Sequence, residues 1–415
     1  MRKNIIIIGG GIIGVCSAYY LQKEGHKVTI IDKTNMDSGA SHVNAGYITP
    51  SHFIPLATPG IITKGIKWMF NSSSPFYVKP RLDIDFLKWS LAFKKSATKE
   101  KVAKAIQPIL NINLLGRDLY EDLKNTNDFN FHYEKKGLFM FYKSDKVGEE
   151  EWEVGKIGIQ QGLQVENLSA KEVAKIEPNA NLDIKGAVYY HSDAHMTPNL
   201  FMKEMISYLE KNGVTFYKNE TVNDLQISGG EISSIITNKR ALKADEVVLA
   251  AGSWSPIITK KLGLKIPIQA GKGYSINVKS DTKITIPSIL CEAKVAVTPM
   301  NGFTRFAGTM EIAGINHDIN PKRVAAIANA GKSYYKNLEI SSKEKETANC
   351  GLRPCSPDGL PYIGKSNKCK NLTIATGHAM MGWSLGPATG KLVSEIISDK
   401  KLSLNIDSFH PDRKF

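Results

Sequence analysis

Apolar residues at the start of the chain follow a pattern typical of a buried β-strand. Four consecutive isoleucines, residues 5–8, run directly into Gly9-Gly10-Gly11-Ile12-Ile13-Gly14. A second apolar run, residues 28–31, ends in Asp32. A strand, a glycine-rich turn, a helix and a second strand in this order predict a βαβ unit.

The glycine spacing, G-x-G-x-x-G, gives this unit a specific chemistry. Gly9 allows a tight turn, Gly11 lets the backbone approach a pyrophosphate, and Gly14 lets the helix pack close to the strand. Phosphates would lie at the amino terminus of the helix, where free N–H groups and the helix dipole favour negative charge. We expect Asp32 to accept a hydrogen bond from a ribose hydroxyl, and three further residues to contact the cofactor: Ile12, Ile13 and Lys33. The unit therefore predicts a binding site for FAD or NAD.

The pattern beyond this unit alternates between helices and strands. Thr197 and Pro198 are typical of a helix start, and Asn212-Gly213 is typical of a helix end. The other predicted elements are a loop at 37–47, a helix at 100–124, strands at 137–142, 214–217 and 246–254, a hairpin turn at 228–231, a strand at 372–375 and a final helix that ends near Ser398.

Residues 263–344 form a β-rich insertion in this pattern. Turns are expected there at Gly271, Gly273 and Gly302. No low-complexity linker separates the insertion from its surroundings, so we expect the chain to cross between two domains several times.

The predicted fold class is α/β, with a Rossmann-like βαβ domain interleaved with a sheet-rich, α+β substrate domain. The predicted nucleotide-binding domain comprises residues 1–85, 192–262 and 345–408. The predicted substrate domain comprises residues 86–191 and 263–344.

Composition places the 415-residue chain among ordinary globular proteins, with 42% hydrophobic and 23% charged residues. No segment approaches the about 18 consecutive apolar residues of a transmembrane helix. The first apolar run breaks into glycines after four residues, so we expect no signal peptide and a cytoplasmic protein that begins at Met1. Five cysteines without a metal-ligand spacing predict reduced thiols and no metal site.

The net charge of +14 indicates an attraction to anionic partners or a lysine-rich, solvated surface. Lysines are spread along the whole chain without a nucleic-acid-binding motif, so no nucleic acid is expected as a partner. Residues 62–93 combine basic and aromatic side chains, including Trp68 and Trp89. This region is either an interfacial element at the inner face of a membrane or a helix that packs its aromatic residues inward.

A second glycine-rich constellation lies near the end of the chain. Gly351-Leu352-Arg353-Pro354 precedes the last predicted strand, and Thr376-Gly377-His378 with Gly382-Trp383-Ser384 follows it. An enzyme that uses only NAD leaves this element unexplained. FAD lies extended, with adenosine at one end of the fold and flavin at the other, and a helix amino terminus can stabilise negative charge on the reduced flavin. The constellation therefore favours FAD.

Together these motifs resemble the FAD-dependent D-amino acid oxidase superfamily, and within it the bacterial D-amino acid dehydrogenase small-subunit group. The resemblance rests on six stretches that run through nearly the whole chain: the Gly9–Gly14 turn with Asp32, Asn44-Ala45-Gly46, Lys272-Gly273-Tyr274-Ser275, Ala250-Ala251-Gly252-Ser253, Gly351-Leu352-Arg353-Pro354, and Thr376-Gly377-His378 with Gly382-Trp383.

The resemblance implies a nucleotide-binding domain and a β-sheet domain that roofs the flavin. It implies that Val222 lies near the adenine and that Ala251 and Gly252 pass close to the pyrophosphate. It also implies two groups around the flavin. Residues lining the ribityl chain and the ring would be Ser41, Asn44, Ala45 and Gly46, and residues at the pyrimidine edge would be Gly382, Trp383 and Ser384.

Arg353 is the leading candidate for binding a substrate carboxylate, because a guanidinium grips a carboxylate with two hydrogen bonds. The alternative is a structural salt bridge. Tyr274 is expected either to donate to the same carboxylate or to pack as an ordinary aromatic residue. His378 and His52 are candidates for orienting the amine or accepting its proton. Hydride transfer to flavin depends mainly on positioning, so no single essential acid–base residue is expected.

The expected activity is FAD-dependent oxidation of D-amino acids, with D-proline-type or hydroxy-D-proline-type substrates included. Electrons would pass to a quinone or a partner protein, with a peripheral contact to the inner face of the membrane. Two alternatives stay open at this point. One is a glycine- or sarcosine-type oxidase that uses oxygen, and the other is a non-catalytic subunit that carries FAD within a larger complex.

Overall fold

The computed structural model describes residues 1–60, 74–79 and 81–415. Within these residues the helices are α1 (Ile12–Lys23), α2 (Ile84–Ser96), α3 (Lys99–Asn125), α4 (Asp145–Gln160), α5 (Ala170–Ile176), α6 (Pro198–Lys211), α7 (Ser255–Lys261), α8 (Pro321–Tyr334), α9 (Ser342–Glu346) and α10 (Gly382–Ile397). The strands are β1 (Asn4–Ile8), β2 (Lys27–Ile31), β3 (Tyr47–Ile48), β4 (Phe76–Val78), β5 (Tyr133–Glu134), β6 (Leu138–Tyr142), β7 (Val165–Ser169), β8 (Gly186–Tyr190), β9 (Ala194–Met196), β10 (Thr215–Tyr217), β11 (Val222–Ser228), β12 (Glu231–Thr237), β13 (Ala241–Leu242), β14 (Glu246–Leu249), β15 (Gln269–Val278), β16 (Ser288–Leu290), β17 (Val295–Met300), β18 (Phe303–Ile312), β19 (Asn349–Cys355), β20 (Tyr362–Ser366) and β21 (Cys369–Thr376).

A six-stranded sheet in the order β10-β2-β1-β14-β21-β20 holds the glycine-rich turn. Its strands are parallel except for β20, which pairs antiparallel with β21 at the edge. The isoleucines of β1 are almost completely buried, because helices α1, α6 and α10 cover one face of the sheet and the three-stranded sheet β11-β12-β13 covers the other. The βαβ unit predicted from the sequence is thereby confirmed, with α1 packed against α10 and α6.

The order of this sheet explains where a ligand can bind. β1 lies between β2 and β14, so the chain leaves the sheet in different directions on either side of β1. Ligands of open α/β sheets bind beside the carboxyl ends of the strands at such a point. The glycine-rich turn after β1 and residues 250–252 after β14 meet at this position.

A nine-stranded sheet forms the second layer, in the order β19-β15-β18-β17-β16-β6-β8-β7 with β4 paired to β18. Its members come from widely separated parts of the chain, and β15 is hydrogen-bonded to both β18 and β19. Helix α8 packs on this sheet, with Val324 and Ile327 buried beside Phe306. This sheet covers the carboxyl ends of the first one.

One expectation about residues 263–344 was wrong. Gly271 and Gly273 are not turn residues but lie inside β15, whereas Gly302 does turn the chain between β17 and β18. A Cβ atom on Gly271 would lie 2.3 Å from the sulfur of Met310, so this glycine makes room for a neighbouring strand. The segment is β-rich, as expected, and also contains the 14-residue helix α8.

The division into domains stays a prediction, and sheet membership differs from it at two strands. β4 and β19 lie in the predicted nucleotide-binding segments, but both are hydrogen-bonded into the nine-stranded sheet. The hairpin β11–β12 and the helix from Pro198 to Lys211, by contrast, occur where the pattern placed them.

The basic and aromatic region predicted at 62–93 lies partly outside the described residues, including Trp68. In the part that the structure describes, α2 turns Trp89 inward, where its Nε1 donates to the carbonyl oxygen of Cys355 at 2.9 Å. Phe93 stacks on Trp89 with ring centroids 5.1 Å apart. These contacts favour the inward-packing interpretation for α2. Among the described residues, no helix is both long enough and apolar enough to cross a membrane.

Candidate active site

The turn between β1 and α1 forms a glycine cradle. Gly9 has a φ of 110°, a conformation that side chains disfavour. A Cβ atom on Gly14 would lie 1.9 Å from the carbonyl oxygen of Gly9, and one on Gly9 would lie 2.4 Å from the carbonyl oxygen of Ala250. The predicted reasons for Gly9 and Gly14, a tight turn and close packing, are thereby confirmed.

The amino terminus of α1 is open toward the interior. Gly11 is its N-cap residue and provides no side-chain hydrogen bond to the first turn. The amide of Ile12 donates to Ser41 Oγ at 3.0 Å, and Ile12 and Ile13 line the adjacent cavity. A Cβ atom on Gly11 would meet only that hydroxyl, at 3.1 Å, so the backbone here is accessible to a ligand.

Asp32 ties the end of β2 to the glycine cradle. Its Oδ2 accepts from the amide of Gly10 at 2.7 Å, and its Oδ1 accepts from the amide and hydroxyl of Thr34. The next residue, Lys33, places its Nζ 3.4 Å from the ring centroid of Trp254. Both residues line the cavity, so the carboxylate is within reach of a ligand while also shaping the loop.

One continuous cavity of about 1310 Å³ runs from the glycine cradle to the nine-stranded sheet. Ordinary small-molecule pockets measure about 300–1,000 Å³. Val222, Ala251 and Gly252 line its end beside the cradle, whereas Gly382 and Arg353 line its far end. The cavity is therefore large and extended enough for a dinucleotide together with a small substrate.

The loop that follows Asp32 crosses the middle of this cavity. Ser41 accepts through its carbonyl oxygen from Nε1 of Trp383 at 2.9 Å, and Asn44 Oδ1 accepts from the amide of Gly46 at 2.8 Å. Ser41, Asn44 and Ala45 line the cavity. The loop is therefore fixed from both sides before any ligand binds.

Two of the predicted cofactor residues, Gly46 and Ser384, lie behind the cavity wall, whereas Trp383 reaches it. A Cβ atom on Gly46 would lie 2.2 Å from the carbonyl oxygen of Met196, and Ser384 Oγ accepts from the amide of Thr49 at 2.6 Å. Trp383 is buried to 1% exposure and stacks on Tyr120, with one edge toward the cavity. Gly46 and Ser384 therefore support the wall by packing.

Arg353 lies in β19 opposite Gly271 of β15, and its Nη1 donates to the carbonyl oxygen of Thr309 at 2.6 Å. Among the described residues it makes no ion pair with a carboxylate. Burial lowers the pKa of the guanidinium, as expected for a cation held without a counter-ion. A Cβ atom on Gly273 would lie 2.3 Å from both terminal nitrogens of Arg353. The second strand glycine therefore makes the space that the guanidinium occupies.

The surroundings of Tyr274 favour the alternative of a packed aromatic residue over a contact with a substrate carboxylate. Side chains alternate along β15, so Tyr274 faces away from the side that carries Gly273 and Arg353. Its hydroxyl donates to Glu311 Oε2 at 2.9 Å, and Glu311 is also paired with Arg323 Nε at 3.0 Å. This hydroxyl is therefore used in a buried ionic cluster.

His378 is a buried structural residue. It is 1% exposed, and its Nε2 lies 3.0 Å from the hydroxyl of Thr389 in α10. Burial lowers the pKa of His378 to about 3, so the ring is neutral at physiological pH. Although the residue borders the cavity, its ring nitrogen serves the packing of α10, which disfavours the expected role in accepting a proton from substrate.

His52 is the better placed of the two histidines. It is half-buried and lines the cavity, and its Nδ1 lies 2.9 Å from Ser51 Oγ. Ser51 in turn donates to Asp193 Oδ2 at 2.5 Å. The hydroxyl of Ser51 thus links Nδ1 of His52 to the carboxyl of Asp193, which leaves Nε2 as the ring nitrogen outside this hydrogen-bonded chain. Burial lowers the pKa of His52 to about 4 and raises that of Asp193 to about 7.

A model of the FAD-dependent oxidoreductase family matches residues 4–396 of the chain. The chain belongs to this family. FAD is therefore its cofactor, and the protein is an FAD-dependent oxidoreductase, as the resemblance of the motifs implied.

Curated relatives match over nearly the whole chain. A D-amino acid dehydrogenase of Helicobacter pylori is 30% identical over 409 residues, covering 98% of each chain. A D-amino acid dehydrogenase of Vibrio vulnificus (strain CMCP6) is 30% identical over 404 residues, covering 95% of this chain and 96% of its own.

Solved structures agree in fold. Glycine oxidase from Geobacillus kaustophilus superimposes with a TM-score of 0.79 at 19% identity, covering 100% of this chain and 99% of its own. L-Proline dehydrogenase from P. horikoshii gives 0.71 at 19% identity, covering 99% and 97%. At this identity the likeness confirms the predicted α/β fold with its FAD-binding and substrate parts and leaves the substrate open.

The residues of the oxidoreductase fit an extended FAD. The glycine cradle and the amino terminus of α1 suit the pyrophosphate, Asp32 suits the ribose, and Ser41 to Ala45 with Gly382 suit the flavin end. In each position a small residue or a free backbone edge faces the cavity. These individual contacts stay predictions.

Two features of the oxidoreductase's site were missed from the sequence. Arg305 lies in β18 and is 4% exposed. Its Nη1 donates to the carbonyl oxygens of His42 and Asn44, and so it fixes the loop of residues 41–45, called here the flavin-end loop. The available signal was an arginine between the aromatic residues of this strand. The link from Ser51 to Asp193 joins residues 142 positions apart, and neither residue alone gives a recognisable motif.

Proposed function

We propose that the protein is a D-amino acid dehydrogenase that converts D-amino acids to 2-oxo acids and ammonia. D-Proline-type substrates, whose cyclic imine product need not hydrolyse, are included. The names of the curated relatives support this proposal. The single structural observation behind it is the guanidinium of Arg353, a cavity-lining cation without a carboxylate partner among the described residues.

Arg353 would bind and orient the substrate carboxylate. Its Nη1 already donates to Thr309, which fixes the plane of the guanidinium, and the absence of an acidic partner in the described part of the chain leaves the charge for a ligand. A bidentate pair of charge-assisted hydrogen bonds holds a planar carboxylate in one orientation. The Cα–H bond would thereby be presented to the flavin in a reproducible geometry.

His52 would orient the substrate amine by accepting a hydrogen bond from it, because a ring whose pKa is lowered to about 4 is too weak a base to take a proton from an ammonium group. The substrate reacts as the free-base amine, since the amine lone pair forms the C=N bond as Cα–H leaves with its electron pair. Ser51 holds Nδ1 of His52, so Nε2 is the ring nitrogen left to face the amine. Bound FAD supplies a two-electron acceptor for the hydride from Cα. Water then hydrolyses the released imine to the 2-oxo acid and ammonia.

The electron acceptor in this proposal is a quinone or a partner redox protein rather than oxygen. The relatives are named dehydrogenases, whereas the structurally similar glycine oxidase is named an oxidase. We infer a protein that acts from the cytoplasm, at or near the inner face of a membrane. This location rests on the basic surface alone.

Steady-state product analysis tests the activity. The purified protein is incubated with D-alanine or D-proline and a soluble ubiquinone analogue, and 2-oxo acid or cyclic imine is measured. The expected result is product with the D-enantiomer that depends on the quinone analogue. Matched reactions contain the L-enantiomer, or glycine and sarcosine in air.

The two alternatives predict different products. Peroxide formed in air at a rate equal to that with quinone would indicate an oxidase and contradict the dehydrogenase assignment. A protein that binds FAD but forms no product with any amino acid would favour the non-catalytic subunit.

A further inference from the structure

Two histidines and a glutamate meet at the edge of the small sheet formed by β3, β9 and β5. One potential ligand atom each from His132, Glu134 and His195 lies within 4.8 Å of the others. Glu134 and His195 are direct partners across the antiparallel pair β5–β9, so their side chains lie on the same face. His132 precedes β5 and points to the same place, with its Nε2 3.9 Å from Glu134 Oε1.

His195 is unusual within this group. It is completely buried, yet neither of its ring nitrogens has a hydrogen-bond partner in the described structure. Its Nε2 lies 3.5 Å from Glu134 Oε2 without the alignment of a hydrogen bond. A buried polar group without a partner costs about 1–3 kcal/mol, so such a group is expected to serve a ligand.

His132 is held in an orientation that suits a ligand. Its Nδ1 lies 2.9 Å from the hydroxyl of Thr197, while its Nε2 faces the cluster. Metal-binding histidines typically use one ring nitrogen on the metal and the other on a fixed hydrogen-bond partner. The hydroxyl of Thr197 serves as that partner here.

We propose that His132, Glu134 and His195 bind a divalent transition-metal ion of the Zn²⁺ class. Two imidazoles and one carboxylate suit Zn²⁺ better than Mg²⁺ or Ca²⁺, which prefer oxygen ligands. Tetrahedral Zn²⁺ with bonds of about 2.0–2.1 Å needs ligand atoms about 3.3 Å apart. The observed separations are 3.9 Å from His132 Nε2 to Glu134 Oε1 and 3.5 Å from His195 Nε2 to Glu134 Oε2, and the three ligand atoms lie within 4.8 Å of one another, so side-chain rotations would bring them to this spacing.

The exposed side of the cluster leaves room for a fourth ligand. Glu134 and His132 are 37% and 21% exposed, so water can complete the coordination. Lys136 Nζ lies 2.9 Å from Glu134 Oε2 and must release this oxygen when the metal binds. Lys136 is an exposed residue, so its side chain can move into solvent.

The proposed metal would lie where it connects two strands near the flavin-end loop. The ion would fasten β5 to β9, and β9 also pairs with β3, which directly follows the flavin-end loop at Gly46. His132 and His195 come from the two sides of the predicted domain division. The proposed site would therefore brace the junction that carries this loop, independently of the substrate chemistry.

Metal binding is measured on the FAD-loaded protein. The protein is stripped with EDTA, incubated with ZnSO₄, passed through gel filtration and analysed for zinc by mass spectrometry. The expected result is one Zn²⁺ per chain, with an at least tenfold weaker affinity in His132→Gln and in Glu134→Gln. His191→Gln is the matched control, because His191 forms a separate half-exposed pair with Glu166 at 3.0 Å.

Thermal unfolding of the same samples provides a second measurement. Zn²⁺ is expected to raise the Tm of the wild-type protein and of His191→Gln, but not that of His132→Gln, since a ligand stabilises only the state that binds it. Equal FAD content and equal Tm without zinc would establish that the variants are folded. Retention of zinc by both cluster variants at wild-type affinity, or no retention by the wild type, would overturn the proposal.

Discussion

The position of the Arg353 guanidinium depends on Gly273, a residue without a side chain. Gly273 lies in the middle of a buried strand, where glycine is ordinarily unfavourable. Its missing Cβ leaves the space in which both terminal nitrogens of Arg353 lie. The charge proposed to bind the substrate and the strand glycine therefore form one structural unit.

Arg353→Lys tests the bidentate contact proposed for this position. Lysine keeps the positive charge but cannot form a bidentate pair, and hydrogen bonds to charged groups contribute about 1.5–3 kcal/mol. We expect kcat/KM for D-amino acids to fall about 10- to 150-fold, with FAD content unchanged. Steady-state kinetics measure this loss. Arg117→Lys is the control, because its partner Asp118 lies on an exposed helix surface. An unchanged kcat/KM would exclude Arg353 from substrate binding.

Gly273→Ala tests the space rather than the charge. The added methyl group would displace the guanidinium, and a misplacement of about 1 Å can cost about 10²-fold in rate. We expect a loss of kcat/KM comparable to that of Arg353→Lys while FAD is retained. Ser275→Ala, two residues along the same face of β15, is the control. Full activity of Gly273→Ala would show that Arg353 need not occupy this position.

The buried carboxyl of Asp193 links folding to pH. Its pKa is raised to about 7 by burial, whereas the unfolded chain releases this proton near pH 4. Between these values the folded protein binds the proton more tightly than the unfolded chain does. The free energy of unfolding therefore falls as pH rises through this window and levels off above about pH 7.

Asp193→Asn removes this contribution. From pH 5 to pH 8 we expect the wild type to lose about 2–3 kcal/mol of unfolding free energy relative to the variant. Urea unfolding at the two pH values measures the difference, with the exposed Asp128→Asn as control. The same pH dependence in wild type and Asp193→Asn would mean that Asp193 is ionised throughout.

At the scale of elements, two glycines at the amino terminus of α1 differ: one allows packing and the other faces the cavity. Gly14 is needed because the helix touches the carbonyl oxygen of Gly9, whereas Gly11 faces the open cavity beside Ser41. Two glycines of one motif therefore have different functions, although they are indistinguishable by residue type.

This difference predicts distinct behaviour for two alanine variants. Gly14→Ala should destabilise the FAD-free protein, since overpacking costs about 1–3 kcal/mol. Gly11→Ala should leave the FAD-free protein within about 0.5 kcal/mol of wild type but lower its FAD content, because the methyl group occupies the approach of the pyrophosphate. Thermal unfolding of deflavinated protein and the ratio of flavin to protein absorbance measure both. Normal FAD content in Gly11→Ala would contradict a pyrophosphate at this turn.

Elements with a local signal could be predicted from the sequence. The β1-α1-β2 unit is encoded by consecutive apolar residues and glycines, and the helix after Thr197 by its own start and end residues. Gly271 and Gly273 were misassigned as turns because their role depends on Met310 and Arg353, which reach them only after the strands pair. The cluster proposed to bind a metal was missed for the same reason, since His195 lies far along the chain from His132.

At the scale of the whole molecule, the cavity exists because two sheets assembled from interleaved segments face each other. The local pattern of residues 76–78 and 349–355 does not indicate that they join the nine-stranded sheet, and both lie in segments predicted for the nucleotide-binding domain. The resemblance of motifs across the chain succeeded at this scale, because it reports the complete assembly and not one segment.

The proposed oxidation of D-amino acids is tested by the anaerobic absorbance spectrum of the purified protein during addition of D-amino acids. We expect D-alanine or D-proline to bleach the flavin band at about 450 nm and their L-enantiomers to leave it unchanged. In Arg353→Lys the same bleaching should need about 10- to 150-fold more substrate. A flavin band that no D-amino acid bleaches, or equal bleaching by both enantiomers, would contradict the account.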